Sequence, residues 1–211
     1  MTPPEPMSLA VDPERGRLLG AEQRYAKSFG DLAGLYADRT AFEALLASRR
    51  DEIAYEVTAY VPGDRVNDLI VGVTRMVPGR VGREFFMTRG HIHARADRPE
   101  IYHGQSGHGL MLMESPAGEI RIAKIGPGSL CYVPPFWIHR SVNIGDTDLV
   151  MLFAYPADSG QDYGIIERSG GMRVRIMADG RGGWTQEPNP HWRPRSAAEI
   201  ARIHAGPEAA A

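Results

Sequence analysis

The stretch GLMLMESPAGEIRIAKIGPGSLCYV, residues 109–133, indicates a chain built from short antiparallel strands. It contains three runs rich in apolar residues, at 109–114, 119–125 and 129–133. Turn residues separate the runs, with SPAG at 115–118 and GPG at 126–128. Short strands at this spacing, joined by tight turns, are typical of a β-sandwich or barrel.

Similar runs lie on both sides of this stretch. We predict further strands at 55–61, 68–77, 149–155 and 173–177, with PGD at 62–64 and NIGD at 143–146 as turns. Helical patterns flank the strands and do not alternate with them, which argues against a parallel α/β sheet. Thr40 and Glu43 form the capping box of a helix at 40–50, and Ser196 and Glu199 that of a C-terminal helix.

The chain is therefore predicted to be all-β with short flanking helices. The predicted organisation is an N-terminal extension carrying a short helix (1–50), a barrel (51–178) and a C-terminal tail with a short helix (179–211).

Composition restricts the possible partners. The 211 residues include 24 Lys and Arg against 26 Asp and Glu, a formal charge of −2, so the basic excess of a nucleic-acid binder is absent. No apolar run approaches the length of about 18 residues that suggests a membrane span. The N-terminus lacks the pattern of a signal peptide, and Cys131 has no second cysteine with which to pair. We expect a cytoplasmic protein.

Four residues suggest a metal site. The pair His91 and His93 would face the same side of a strand, and Glu100 and His139 follow beside turn signals. Three imidazoles and one carboxylate suit one divalent transition metal such as Fe, Mn, Zn, Ni or Co better than Ca²⁺ or Mg²⁺.

The two other histidines between residues 91 and 139 are weaker candidates for metal ligands. His103 has the opposite parity to Glu100 and should face away from it, whereas Tyr102 shares that parity and should line the cavity. His108 lies in a predicted turn, so both histidines are expected to be ordinary polar residues.

The histidine spacing resembles the two motifs of the cupins. Gly90, His91, His93, Glu100 and Gly107 resemble the first motif. A further set resembles the second motif: Gly128, Pro134, His139 and Asn143. The six residues between His93 and Glu100 are typical of the cupin-type glucose-6-phosphate isomerases. Similar stretches occur at 32–38, 82–93, 132–140, 142–146, 155–158, 162–164 and 189–192.

This resemblance implies a fold and roles for particular residues. The implied fold is a cupin barrel, a double-stranded β-helix or jelly roll, usually present as a homodimer. The implied metal ligands are His91, His93, Glu100 and His139. The implied positions that hold the substrate phosphate are Thr74, Thr88, Gly90 and Tyr155. Tyr155 also shares the parity of the apolar residues in its strand, which predicts an inward orientation.

One position departs from the family pattern. The family commonly has a histidine where this chain has Gln161, before the sequence DYG. Glutamine cannot act as a base near neutral pH, although it can hydrogen-bond a hydroxyl group. Either that histidine is dispensable, or the substrate or the rate differs in this chain.

The implied activity is interconversion of glucose 6-phosphate and fructose 6-phosphate in glycolysis and gluconeogenesis. Glu100 is our candidate proton carrier for an enediolate route, with Tyr102 beside it, and a hydride shift is the rival route. The alternatives are an isomerase or epimerase of another sugar phosphate such as mannose 6-phosphate, a cupin dioxygenase with the same ligands, and a non-catalytic sugar-binding barrel. If the protein is an isomerase, we expect a small phosphorylated sugar as its partner and expect it to bind neither nucleic acid nor a membrane.

Overall fold

Strands dominate the computed structural model, which describes residues 5–21, 23–62 and 67–205. The strands are β1 (Ala10–Asp12), β2 (Arg17–Leu19), β3 (Gln23–Ser28), β4 (Ile53–Tyr60), β5 (Leu69–Met76), β6 (Arg80–Val81), β7 (Glu84–Phe85), β8 (Glu100–Ser106), β9 (Gly109–Glu114), β10 (Ile120–Ile125), β11 (Leu130–Val133), β12 (Ile138–Asn143), β13 (Leu149–Pro156), β14 (Val174–Ala178) and β15 (Trp184–Pro188). The α-helices are α1 (Arg39–Arg49), α2 (Gly164–Arg168) and α3 (Ala197–Ala205). Most of the predicted turn at 62–64 and the last residues of the predicted C-terminal tail lie outside the described residues.

Two antiparallel sheets form the barrel. The larger sheet has the strand order β11-β8-β13-β5-β4-β3, and the smaller has the order β10-β9-β12. Isolated bridges from Met87 to Val142 and from His91 to His139 add the segment 87–91 beside β12. A further sheet, β15-β14-β7-β6, and the ribbon β1-β2 complete the strand pairing. The all-β class with flanking helices and the cupin-type barrel are confirmed.

The core lies between the two barrel sheets. Met76 and Met151 of the larger sheet belong to one buried cluster with Leu110 and Met111 of the smaller sheet. Burying a side chain of this kind contributes about 1.5–3 kcal/mol. The same cluster holds the ends of β8 and β12 in place, and these ends carry the predicted metal ligands.

The predicted strands agree with the structure where hydropathy alternates. Strand β9 has the predicted bounds, and β4, β5, β10, β11, β13 and β14 begin and end within two residues of theirs. Strands β1, β2, β3, β6, β7, β8, β12 and β15 were not among the predicted strands. Because β3 pairs with β4, the larger sheet includes part of the predicted N-terminal extension; the domain boundaries themselves stay predictions.

The caps of the two longer helices differ in outcome. The prediction that Thr40 caps the first helix is wrong: α1 begins at Arg39, and the Asp38 carboxylate accepts a hydrogen bond from Ala41 N at 2.9 Å. An aspartate is at least as good an N-cap as threonine and also favours the positive end of the helix dipole. The capping box of α3 is confirmed, with Ser196 N donating to Glu199 at 2.8 Å and Glu199 N donating to Ser196 Oγ at 3.3 Å.

No helix in the described part of the chain combines the length and the apolar character needed to cross a bilayer.

Candidate metal centre and adjoining cavity

Backbone pairing brings the two histidine segments together. His91 N donates to the carbonyl of His139 at 3.0 Å, and His139 N donates to that of His91 at 2.9 Å. The sequence suggested that His91 and His93 lie on a strand, but the structure has no regular strand there. Isolated bridges from His91 to His139 and from Ile92 to Asp162 hold this segment. Both imidazoles are nevertheless buried, with ring centroids 5.4 Å apart.

Glu100, the first residue of β8, stands at the centre of the cluster. Its Oε2 atom lies 3.0 Å from Nε2 of His139, 3.2 Å from Nε2 of His93 and 3.7 Å from Nε2 of His91. Ligand atoms of His91, His93 and Glu100 all fall within 4.8 Å of one another, which is a spacing that could hold a metal ion.

Backbone carbonyl groups orient two of the imidazoles. Nδ1 of His93 lies 2.8 Å from the carbonyl oxygen of Arg98, and Nδ1 of His139 lies 3.0 Å from that of Trp137. A carbonyl oxygen can only accept, so each Nδ1 carries a proton and each Nε2 is the ring nitrogen that faces Glu100. Nε2 of His91 and Nε2 of His93 are buried without a hydrogen-bond partner among the described residues. Buried ring nitrogens that converge on a carboxylate fit a divalent transition metal.

The surroundings set the charge of these groups. Burial, followed by the neighbouring His139, lowers the pKa of His91 to about 4, so its imidazole is neutral near pH 7. Burial alone would raise the pKa of Glu100, but its close contacts with the imidazoles of His139, His91 and His93 outweigh burial and hold that pKa well below its usual value. Neutral imidazole and ionised carboxylate are the protonation states that bind metals.

A cavity of about 270 Å³ adjoins the cluster. His91 and Glu100 form part of its wall. The wall also contains Tyr102 and Gln161. It includes all four residues that the resemblance predicts to hold the substrate phosphate, which are Thr74, Thr88, Gly90 and Tyr155. The structure thus brings together residues from β5, β8, β13 and the segment before His91.

Thr88 and Gly90 are positioned by strand β12. Thr88 N donates to Ser141 O at 3.0 Å, and Ser141 N donates to Thr88 Oγ1 at 3.1 Å, which leaves the Thr88 hydroxyl hydrogen free to donate elsewhere. Gly90 has φ +74°, and a Cβ atom there would lie 2.8 Å from Cβ of Arg140 and 2.9 Å from the carbonyl oxygen of His139. Only glycine fits this position.

Two tyrosines line the cavity as neutral phenols. Tyr102 is buried two residues after Glu100, and its ring centroid lies 5.9 Å from that of His139. Burial, then the Glu100 carboxylate, raises the pKa of Tyr102 well above its usual value. Burial likewise raises the pKa of Tyr155, whose ring centroid is 5.3 Å from that of His93. Both hydroxyl groups are therefore donors at neutral pH.

Gln161 lies on the cavity wall with a defined partner. Its side-chain oxygen accepts a hydrogen bond from the Tyr163 hydroxyl, and the guanidinium carbon of Arg89 lies 5.8 Å from the centroid of the Tyr163 ring. The side-chain amide of Gln161 is thus held by a phenol that itself lines the cavity.

Several cavity residues were not predicted. Ser141 lies two residues after His139 on β12, so strand parity would have identified it had that strand been predicted. Tyr163 stands in the DYG sequence but received no role. Tyr25 and Tyr55 come from the paired strands β3 and β4, and neither carries a local motif that marks it.

His103 and His108 lie away from the cluster, as expected. His103 faces away from Glu100 on β8, half-buried, with Nδ1 2.6 Å from the Gln105 side-chain amide. His108 is exposed in the turn between β8 and β9.

Comparison with known proteins gives the family. A family profile described as glucose-6-phosphate isomerase (GPI) matches residues 26–193. The glucose-6-phosphate isomerase of Sinorhizobium medicae (strain WSM419) is 58% identical over 200 residues, covering 95% of this chain and 94% of that protein. The Thermococcus kodakarensis protein of the same name is 41% identical over 188 residues, covering 89% and 97%. A solved oxalate oxidase structure aligns with a TM-score of 0.44 at 18% identity, covering 52% of this chain and 55% of that one. By its sequence, this chain belongs to the cupin-type glucose-6-phosphate isomerase family.

Proposed function

We propose that this protein interconverts glucose 6-phosphate and fructose 6-phosphate at the cavity beside Glu100. The observation that carries the proposal is that a His and Glu cluster that could hold a metal borders the same cavity as neutral groups that can donate to a phosphate. The cavity of about 270 Å³ is near the lower end of the range for small-molecule sites, which suits a single hexose phosphate.

His91, His93, Glu100 and His139 would hold one divalent ion, and Fe, Mn, Zn, Ni and Co all match this set of nitrogen and oxygen donors. When bound, such an ion supplies positive charge that stabilises the negative charge developing on the sugar oxygens. The identity of the metal is part of the proposal and is tested below.

The reaction moves a proton between C2 and C1 of the sugar. Glu100 is our candidate for that transfer, because it is ionised and lines the cavity as well as joining the histidines. Tyr102 would donate a hydrogen bond to a sugar oxygen, since its phenol stays protonated. Solvent deuterium incorporation into the product during turnover would support an enediolate route, and its complete absence would favour a hydride shift.

The phosphate would lie against Thr74, Thr88, Gly90 and Tyr155. Hydroxyl groups and a backbone N–H can donate to phosphate oxygens without adding positive charge to the cavity. This arrangement would fix the phosphorylated end of the sugar and leave C1 and C2 for Glu100.

A coupled assay tests the proposal. Protein freed of metal with a chelator and reloaded with Fe, Mn, Zn, Ni or Co should convert fructose 6-phosphate to glucose 6-phosphate, detected with an NADP-linked glucose-6-phosphate dehydrogenase. His139→Ala, which removes one imidazole, should lose metal and activity together. Absence of conversion with all five metals would refute the proposed activity.

A second sugar phosphate is the alternative that a specific observation favours. Gln161 replaces the histidine common in the family and is hydrogen-bonded to Tyr163, so contacts to the sugar hydroxyls can differ in this chain. Supplying mannose 6-phosphate, with a separate glucose-6-phosphate isomerase added to convert the fructose 6-phosphate formed, would reveal such a preference. A dioxygenase would instead consume oxygen, and the family match argues against it.

The homodimeric state and the cytoplasmic location stay predictions. Light scattering on the purified protein would test the first, and cell fractionation the second.

A further inference from the structure

A second, larger cavity lies on the other side of strand β12. Its volume is about 680 Å³, and its lining combines the segment 31–46 with parts of α2 and β14. Exposed charged residues such as Arg39, Glu43 and Glu167 stand around it, while much of its inner surface is apolar and buried. The buried apolar part includes Phe42, Met87, Leu112, Ile166 and Met172.

One buried cation lines this cavity. Arg140 follows His139 on β12, so its side chain leaves the opposite face of the strand and lines the second cavity instead of the first. The residue is only 6% exposed. A guanidinium group is charged at neutral pH, so this burial places a positive charge beside the cavity.

The hydrogen-bond contacts of Arg140 are with neutral groups. Nη2 donates to the carbonyl oxygen of Arg89 at 2.6 Å, and Nη1 lies 2.7 Å from the sulfur of Met87. Nε is buried without a hydrogen-bond partner among the described residues. Within residues 5–21, 23–62 and 67–205, no carboxylate forms an ion pair with Arg140.

The same fold pairs two comparable arginines with carboxylates, the buried Arg195 and the half-buried Arg175. Arg195 donates to Glu114 at 2.8 Å, and Arg175 donates to Glu84 at 2.8 and 3.0 Å. Glu84, which also lines the second cavity, accepts a further hydrogen bond from Ala37 N, so its oxygens are already engaged. A buried charge without a partner is costly, and an anion in the cavity would supply the partner that the chain does not.

A second donor stands in the same wall. Tyr36 is 5% exposed, and its hydroxyl group is buried without a hydrogen-bond partner among the described residues. Its pKa is raised by burial, so the phenol remains a donor. A planar guanidinium fork together with a phenol matches the oxygens of a carboxylate or a phosphate group.

We propose that this second cavity binds a small organic anion, with a carboxylate or phosphate group beside Arg140 and an apolar body along Phe42, Leu112 and Ile166. The volume lies within the range of small-molecule sites. The site differs from the sugar cavity in chemistry, because it offers a cation and an apolar wall where the other offers neutral donors. Tyr163 lines both cavities and therefore separates them.

Calorimetry on the full-length, metal-loaded protein tests this proposal with three matched probes: hexanoate, hexyl phosphate and hexanol. The sugar cavity is first saturated with an equilibrium mixture of glucose 6-phosphate and fructose 6-phosphate. We expect at least one of the two anions to bind and hexanol to bind at least tenfold more weakly. The preferred anion identifies whether the carboxylate or the phosphate is the natural head group.

Variants separate Arg140 from the rest of the wall. Arg140→Met keeps an apolar stem and removes the charge, and we expect at least a tenfold loss of anion affinity. Arg39→Met removes an exposed cation that lines the same cavity and should change affinity less than threefold. If Arg140→Met does not fold, Tyr36→Phe, which deletes only a hydroxyl, should still weaken binding severalfold.

Four results would overturn the proposal. Neither anion binds the wild-type protein, hexanol binds as tightly as both anions, or Arg140→Met binds with wild-type affinity. The fourth is that the anion binds only when the sugar phosphates are left out, because the probe would then occupy the sugar cavity.

Discussion

Asp158 should control how tightly the protein binds the proposed metal, although it touches none of the four predicted ligands. It follows β13, is half-buried, and accepts hydrogen bonds from Arg98 Nε at 3.0 Å and Nη2 at 2.7 Å. Arg95 Nη1 lies 2.8 Å from the same carboxylate. The backbone carbonyl of Arg98 in turn accepts the hydrogen bond from His93 Nδ1. Asp158 therefore holds the residue that orients His93.

The size of the effect follows from this chain of contacts. Asp158→Asn keeps the side-chain shape but removes the charge and one of the two acceptor oxygens, so the fork of Arg98 loses its bidentate partner. Loss of a group that orients a metal-binding histidine typically weakens metal affinity about 10–100-fold, or about 1.4–2.7 kcal/mol. Because Arg98 keeps its backbone bonds in the turn, we expect the lower end, about tenfold.

The measurement is a Zn²⁺ titration of chelator-treated protein, with a competing chromophoric chelator reporting the dissociation constant. Asp148→Asn is the matched control, because Asp148 also pairs with an arginine, Arg75, at 2.6 Å but does not contact the turn before Glu100. An unchanged dissociation constant for Asp158→Asn, or an equal change in both variants, would refute the proposed role.

Four further changes test separate parts of the structure. Gly90→Ala should lower the free energy of unfolding by about 2–3 kcal/mol, because its φ is positive and a Cβ atom would contact Arg140 and His139. Gly128→Ala is the control: Gly128 has φ +79° but nothing lies within 4 Å of an added Cβ atom, so the loss should be about 1 kcal/mol. Urea unfolding measures both values. Glu100→Gln should lower kcat about 10²–10⁴-fold with unchanged circular dichroism, and near-wild-type kcat in metal-loaded protein would remove Glu100 as proton carrier. Thr88→Ala should raise KM for the phosphorylated sugar more than it lowers kcat, and an unchanged KM would remove Thr88 from the phosphate site. Asn143→Ala should lower the free energy of unfolding by about 2–4 kcal/mol in thermal or urea unfolding. The buried side-chain amide of Asn143 donates to Met76 O and Thr147 O and accepts from Gly145 N. A loss under 1 kcal/mol would contradict this prediction.

Hydropathy predicted the strands whose buried positions are mostly apolar. Strand β9 is apolar along almost its whole length, and its predicted bounds agree with the structure. Strands β8 and β12 were missed because their buried positions include Glu100, His139, Arg140 and Asn143, which are charged or polar. A pattern based on apolar residues cannot detect a strand whose buried side chains form a site. The edge strand β3 was missed for another reason, since it is largely exposed and is fixed by its pairing with β4.

Sequence spacing was more informative about the metal ligands than about the cavity around them. The spacing of His91, His93, Glu100 and His139 was sufficient to predict that they meet, even though no regular strand carries the first pair. Tyr25 and Tyr55 could not be predicted, because they reach the cavity through strand pairing between segments far apart in the chain.

Strand β12 explains why one barrel can serve two cavities. Its successive residues His139, Arg140 and Ser141 are all buried, and side chains two apart on a strand share a face. His139 is partnered by Glu100 and Ser141 lines the same cavity, whereas Arg140 faces away and lacks a carboxylate among the described residues. Substitutions on the two faces of β12 should therefore affect metal binding and anion binding separately. His139→Ala should abolish metal affinity, whereas Arg140→Met should reduce anion affinity far more than metal affinity. Equal losses of both in each variant would mean that the two faces form a single site.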